Sequence, residues 1–192
     1  EAILDNGDYR NSKFYEILGE EFIPWAFKCA HEADPDAELY YNDYSMALPG
    51  KREGVVKLVK SLKAQGLRID AVGMQSHMGM EHPDFAEYEK TIQALIDAGV
   101  KVAITELDMD AIPTVSFGAS VEDEAAYSAQ MNPYPEALPD SVSQIWNDRM
   151  KQVFSIYEKY QDHICRVTVW GVQDGDSWKN DWTMKRGGNS IA

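Results

Sequence analysis

The segment Val102-Ala103-Ile104-Thr105-Glu106-Leu107-Asp108 carries a carboxylate out of a run of apolar residues. Burying a carboxylate is costly unless partners or a chemical task compensate for it, so Glu106 is the first candidate for chemistry. His77 closes another such run, Val72-Gly73-Met74-Gln75-Ser76-His77. From the end of a neighbouring strand, its imidazole could donate a hydrogen bond that keeps Glu106 ionised and aimed, which is how a carboxylate nucleophile is prepared. Two further runs end alike, one in Asn42-Asp43-Tyr44 and one in Trp170 with Gln173 and Asp174. One acidic strand end is ordinarily a helix cap, but capping accounts poorly for four ends that include aromatic and histidine side chains. In a parallel βα array those ends converge on one face, where (β/α)8 barrels build their active sites.

The elements that must position these residues follow from periodicity. Lys13 to His31 places Phe14, Ile17, Leu18, Phe22, Trp25, Ala26 and Cys29 at helical spacing, and Glu38 to Tyr44 is short and aromatic like a strand. Lys51 to Gln65 reads as a second helix stopped by Gly66, with a buried strand over Ile69 to Ser76. Pro83 opens a third helix closed by Gly99, and Val100 to Leu107 is the third strand. Ser141 to Tyr160 and Cys165 to Val172 complete the fourth pair. This alternation predicts an α/β fold built on a parallel sheet. Only Met109 to Asp140, rich in Pro, Ser, Gly, Ala and acidic residues, breaks the rhythm, and it reads as a long loop that is either a lid or disordered.

Bulk properties narrow the function. The chain has 192 residues, 44% of them hydrophobic, enough for one sizeable core. A net charge of −14, from 18 basic and 32 acidic residues, repels a phosphate backbone, so no nucleic acid partner is expected. No apolar run approaches the roughly 20 residues of a membrane span, and no membrane partner is expected. The first residues lack a signal-peptide layout. Cys29 and Cys165 are too few for a disulfide framework and are expected to be buried free thiols.

Four blocks, Tyr40-Tyr41-Asn42-Asp43-Tyr44, Val72-Gly73-Met74-Gln75-Ser76-His77, Ile104-Thr105-Glu106-Leu107-Asp108, and Val167-Thr168-Val169-Trp170-Gly171 with Asp176-Ser177-Trp178, carry a resemblance in order and spacing. Together they resemble successive motifs of family 10 glycoside hydrolases, the endo-1,4-β-xylanases, and the likeness runs from Glu1 to about Trp182. It implies a (β/α)8 TIM barrel to which this chain supplies roughly the second half, strands 5 to 8 with the intervening helices. It also implies retaining hydrolysis of internal xylosidic bonds of xylan or xylo-oligosaccharide by double displacement, with no cofactor and no metal. On the family pattern Glu106 is the nucleophile. Glu1, followed by Ala2, resembles the end of an Asn-Glu-Ala block whose Glu is the acid/base; without the resemblance it would read as a loose terminus. His77 and Asp108 would support the nucleophile, and Tyr44, Gln75, His77, Trp170 and Trp178 would bind substrate.

The resemblance has departures. Ser45 stands where the family commonly has Asn, and the stretch after the nucleophile strand is longer than usual. A complete barrel takes eight strands and about 250 residues, whereas this sequence yields four strands. Residues 1–192 are therefore expected to be the C-terminal portion of a catalytic barrel, incomplete alone and partnered by an N-terminal half in the same or a companion chain. A polymeric substrate implies a secreted, periplasmic or cell-surface enzyme. Three rival readings remain at this level: a β-1,4-glucanase or mixed xylanase/glucanase, a non-catalytic xylan-binding partial barrel, and a metal-dependent hydrolase using His77, Glu106 and Asp108. The last lacks a His-x-His or comparable cluster.

Overall fold

The computed structural model describes residues 1–111, 134, 137–181 and 190–191. The segment from Glu1 to Arg10 has little regular structure, yet Ala2 and Ile3 are buried. Ser12 then caps helix α1 (Lys13–Leu18) by accepting from the Tyr15 amide. The single helix expected over Lys13 to His31 is in fact two. Gly19 has φ +60, a left-handed conformation that ends α1, and a 3₁₀ turn leads into α2 (Phe22–Ala33). Helix α2 buries Ile23, Pro24 and Phe27.

Three crossover units follow. Strand β1 (Tyr40–Asp43) leads to α3 (Pro49–Ala64), which opens with proline in its first turn and buries Val55, Leu58, Val59 and Leu62. Strands β2 (Ala71–Met74) and β3 (His77–Gly79) precede α4 (Phe85–Asp97). Asp84, not Pro83, caps α4, its carboxylate accepting from the Glu87 amide. Strand β4 (Lys101–Asp110), helix α5 (Asp140–Lys159) and strand β5 (Ile164–Val169) form the third unit, followed by α6 (Trp178–Asp181) and β6 (Ser190–Ile191).

Strands β1, β2, β4 and β5 lie parallel in that spatial order, with Asn42 level with Gly73 and Gly73 level with Ala103. The four expected strands are these four. The second differs in detail: β2 stops at Met74, Ser76 adopts φ +69, and the line resumes as β3, which pairs with the upper end of β4. Strand β4 also runs three residues past the expected Leu107, so Met109 and Asp110 belong to the sheet instead of the long loop. Most of that loop, 112–133, lies outside the described residues. Strand β6 pairs antiparallel with β4, an addition that periodicity did not signal.

The core fills the space between the sheet and α3, α4 and α5, through Val72, Val102, Ile104, Val55, Ile92 and Val153. The expectation of buried thiols fails. Both cysteines are exposed: Cys29 is on the uncovered face of α2, and Cys165 is on β5, where Val167 and Val169 are exposed too. Among the described residues neither β1 nor β5 has a strand on its outer edge.

The segment 1–10 rests directly on α3, with backbones in contact. A Cβ on Gly54 would stand 2.6 Å from the Gly7 carbonyl oxygen and 2.7 Å from Ile3 Cγ2. An alanine in a helix interior ordinarily gains up to about 1 kcal/mol over glycine. Here Gly54→Ala is expected to cost about 1–3 kcal/mol by overpacking, read as a lower urea midpoint. A raised midpoint would show that this contact is not tight.

Candidate active site

Strand β4 presents Glu106, which is 16% exposed, at the carboxyl end of the sheet. Two neighbours hold it: Asn42 at the end of β1 donates from Nδ2 to Oε1 at 3.0 Å, and His77 Nε2 lies 3.3 Å from Oε2. The Asn42 amide is itself oriented, because its Oδ1 accepts from Thr105 Oγ1 at 2.6 Å. Alternation along β4 sends Thr105 and Glu106 to different directions, yet Asn42 reaches both.

Behind His77 stands Asp108, 2% exposed, with Oδ1 at 3.0 Å from Nδ1; the contact is short but not aligned as a hydrogen bond. Asp108 Oδ2 accepts from Trp178 Nε1 at 2.8 Å, and Lys179 Nζ lies 3.1 Å from Oδ1 and 3.2 Å from Asp110 Oδ2. Burial pushes the Asp108 carboxyl up. The His77 contact, the Lys179 charge and the indole N–H outweigh it and hold the group below its ordinary value. The imidazole therefore sits between a firmly ionised carboxylate and Glu106, with its ring 5.3 Å from that of Trp178.

Glu1, the other carboxyl group of interest, reaches the same place from the opposite end of the sequence. Gln75 Nε2 donates to its Oε1 at 2.7 Å, and Arg10 lies 3.9 Å from its Oε2. Asn42 and Gln75 each connect the two acids. Asn42 accepts from the Glu1 nitrogen at 3.1 Å through its carbonyl while its side chain contacts Glu106. Gln75 holds the Glu1 carboxylate while its carbonyl accepts from the Glu106 amide at 3.0 Å. Two carboxyl groups tied to shared struts, one tightly held and the other 44% exposed, can serve as a nucleophile and a proton carrier.

The aromatic candidates divide. Trp178 and Tyr44 line a cavity of about 370 Å³ together with His77, Lys179, Met46 and Met78. Tyr44 accepts a hydrogen bond from Arg10, and burial pushes its phenol up against the opposing charge of Arg10. Trp170 stays 44% exposed beyond β5, its backbone amide donating to the Leu107 carbonyl. Among the described residues no group of three or more His, Cys, Asp or Glu side chains is arranged to hold a metal ion.

Sequence reasoning brought together Glu1, Gln75, His77, Glu106, Asp108 and Trp178, and missed four participants. Asn42 was noted as a polar strand end without a partner, and only the register of β1 against β2 and β4 puts it beside Glu106. Thr105, like Asn42, reads in the sequence only as a polar strand-end residue, and Arg10 carried no signal. Lys179 did carry one, as a lone cation directly after the Asp176-Ser177-Trp178 block of an acidic chain.

The parallel sheet with its helices, and a cluster of carboxylates, amides and indoles at the carboxyl ends of the strands, are the arrangement from which (β/α)8 barrels build their sites. The Glycosyl hydrolase family 10 profile matches residues 1–189, and the chain belongs to that family. It is 55% identical over 186 residues to an endo-1,4-β-xylanase A of Xylanibacter ruminicola, covering 96% of this chain and 50% of that protein. A Geobacillus stearothermophilus endo-1,4-β-xylanase is 38% identical, with 96% and 52% covered. A solved family 10 endoxylanase from a sugarcane soil metagenome superposes with TM-score 0.90 at 42% identity, covering all of this chain and 54% of that one. The chain thus spans about half the length of these relatives. The fold is a partial (β/α)8 barrel.

Proposed function

We propose that the protein is a retaining endo-1,4-β-xylanase, with Glu106 as nucleophile and Glu1 as acid/base. The observation that carries this reading is the pair of struts, Asn42 and Gln75, each joined to both carboxyl-bearing residues. Glu106 attacks the anomeric carbon as Glu1 gives its proton to the departing glycosidic oxygen, so one C–O bond forms while the other breaks. Glu1, now a carboxylate, takes a proton from water, which attacks the glycosyl ester and releases Glu106 unchanged. His77 and Asn42 hold both Glu106 oxygens, leaving the carboxylate little freedom to turn away from the sugar.

The relatives named endo-1,4-β-xylanases favour xylan as substrate, and a solved family member is described as a complex with xylotetraose. Trp178, Trp170 and Tyr44 offer flat faces of the kind that suit the apolar faces of pyranose rings. The open outer edges of β1 and β5 and the exposed Val167 and Val169 fit a seam against the remaining barrel strands, carried by the same polypeptide or a companion chain.

The test is digestion of xylo-oligosaccharide by the complete barrel, followed by NMR of the anomeric proton. The β-anomer is expected first, with carboxymethyl cellulose cleaved at least about tenfold more slowly than xylan. Initial release of the α-anomer sinks the double displacement, and adsorption to xylan without sugar release favours a binding role.

A further inference from the structure

One buried cluster lies beneath the site, touching Tyr44 from below and otherwise turned toward the first residues of the chain. Tyr41, Asp43 and Lys51 are 6%, 0% and 0% exposed. The Tyr41 hydroxyl accepts from the Ala2 amide at 2.9 Å and the Ile3 amide at 3.1 Å while donating its own proton to Asp43. Asp43 also accepts from the Ile3 amide at 3.3 Å, from Lys51 Nζ at 3.0 Å and from the Tyr44 amide at 2.9 Å. Lys51 donates to the Ile3 carbonyl as well, with Nζ 4.3 Å from the centre of the Tyr44 ring. Burial, then the neighbouring Asp43, drives the Tyr41 phenol far above its ordinary value, so it remains a donor.

The cluster grips a single stretch of backbone. Three of its contacts are amide donations from Ala2 and Ile3, and a fourth is the Ile3 carbonyl. Both residues lie immediately after Glu1. A charged pair excluded from water is an expensive way to secure a turn, and a hydrophobic contact would bury the segment at less cost. What the pair adds is direction, because four hydrogen bonds fix where the chain points as it leaves Ile3 toward Glu1. Among the described residues the Glu1 side chain has Gln75 and Arg10 as partners, and the aim of its carboxyl depends on that backbone as well.

We infer that Tyr41, Asp43 and Lys51 are positioning residues that aim the Glu1 carboxyl at the glycosidic oxygen. The inference rests on the acid/base assignment of Glu1 and goes beyond it. Misplacing a catalytic group by about 1 Å can cost about 100-fold in rate, and the loss should fall only on steps that need its proton.

Tyr41→Phe in the complete enzyme separates this role from general support of the fold. Two substrates are compared, xylotetraose, whose departing sugar alcohol must be protonated, and 2,4-dinitrophenyl β-xylobioside, whose phenolate leaves without a proton. Their kcat/KM ratio does not depend on how much of the preparation is folded. It is expected to fall about 10- to 100-fold in Tyr41→Phe, with Lys51→Arg showing a smaller fall in the same direction. An unchanged ratio in Tyr41→Phe overturns the positioning role, even if both rates drop. The hydrolase reading fails separately, if the unaltered enzyme releases dinitrophenolate no faster than Glu106→Ala does.

Discussion

Glu106→Ala is expected to reduce hydrolysis of xylan by at least about a thousandfold, because covalent catalysis and its electrostatic support vanish together. Asn42 and His77 would lose the acceptor they share, but neither is a substitute nucleophile, since the imidazole stays held against Asp108 and the amide cannot attack. The space left by the side chain should admit azide. Azide arriving from the nucleophile's side of dinitrophenyl β-xylobioside yields the α-azide, the product of a single displacement. Glu1→Ala should behave differently. It loses about 10²–10⁴-fold on xylan, still forms the ester from the dinitrophenyl substrate, and in azide gives the β-azide by two displacements. The stereochemistry of the azide products, read by NMR, thus assigns the carboxyls individually. The same anomer from both variants would falsify the assignment.

Lys51→Met is expected to destabilise the complete barrel by about 3–5 kcal/mol, the range for removing one partner of a buried ion pair. Asp43 and Lys51 are both fully buried, at 3.0 Å. Methionine fills the volume but leaves the Asp43 charge without compensation, and the hydrogen bonds from Tyr41, Ile3 and Tyr44 stabilise that charge only in part. Adding Asp43→Asn removes the uncompensated charge, so the double variant should recover a large part of the loss. Urea unfolding of the four proteins of this cycle measures it. A single-variant loss under about 1 kcal/mol, typical of exposed pairs, would mean that water reaches the site.

Apolar runs that end in polar residues revealed the four parallel strands, and the carboxylate at the end of the third led to Glu106. His77 was legible for the same reason. What escaped is whatever depends on residues far apart in the chain. Lys51 sits in Gly50-Lys51-Arg52-Glu53, which reads as a solvated first turn of a helix. It is buried because Asp43 and the Ile3 carbonyl lie over it. The split between β2 and β3 was equally hidden, since nothing in Gln75-Ser76 announces a left-handed serine. The thiols were misplaced because helical spacing and a strand pattern identify a face without saying whether another element covers it. Glu1 is the extreme case. Its neighbours are Gln75, Asn42 and Arg10, and only the folded chain assembles them.

The dryness of the Lys51–Asp43 pair reaches beyond stability. Exposed pairs such as Lys13 with Glu16 and Lys151 with Asp148 stand in water, and dissolved ions weaken such pairs as the screening length contracts to about 3 Å at 1 M. No ion can slip between two fully buried partners. The Lys51–Asp43 contact beneath Glu1 therefore outlasts a brine that dissolves the outer charge pattern, while the longer approach of Lys51 to the half-exposed Asp5, at 3.8 Å, weakens with it.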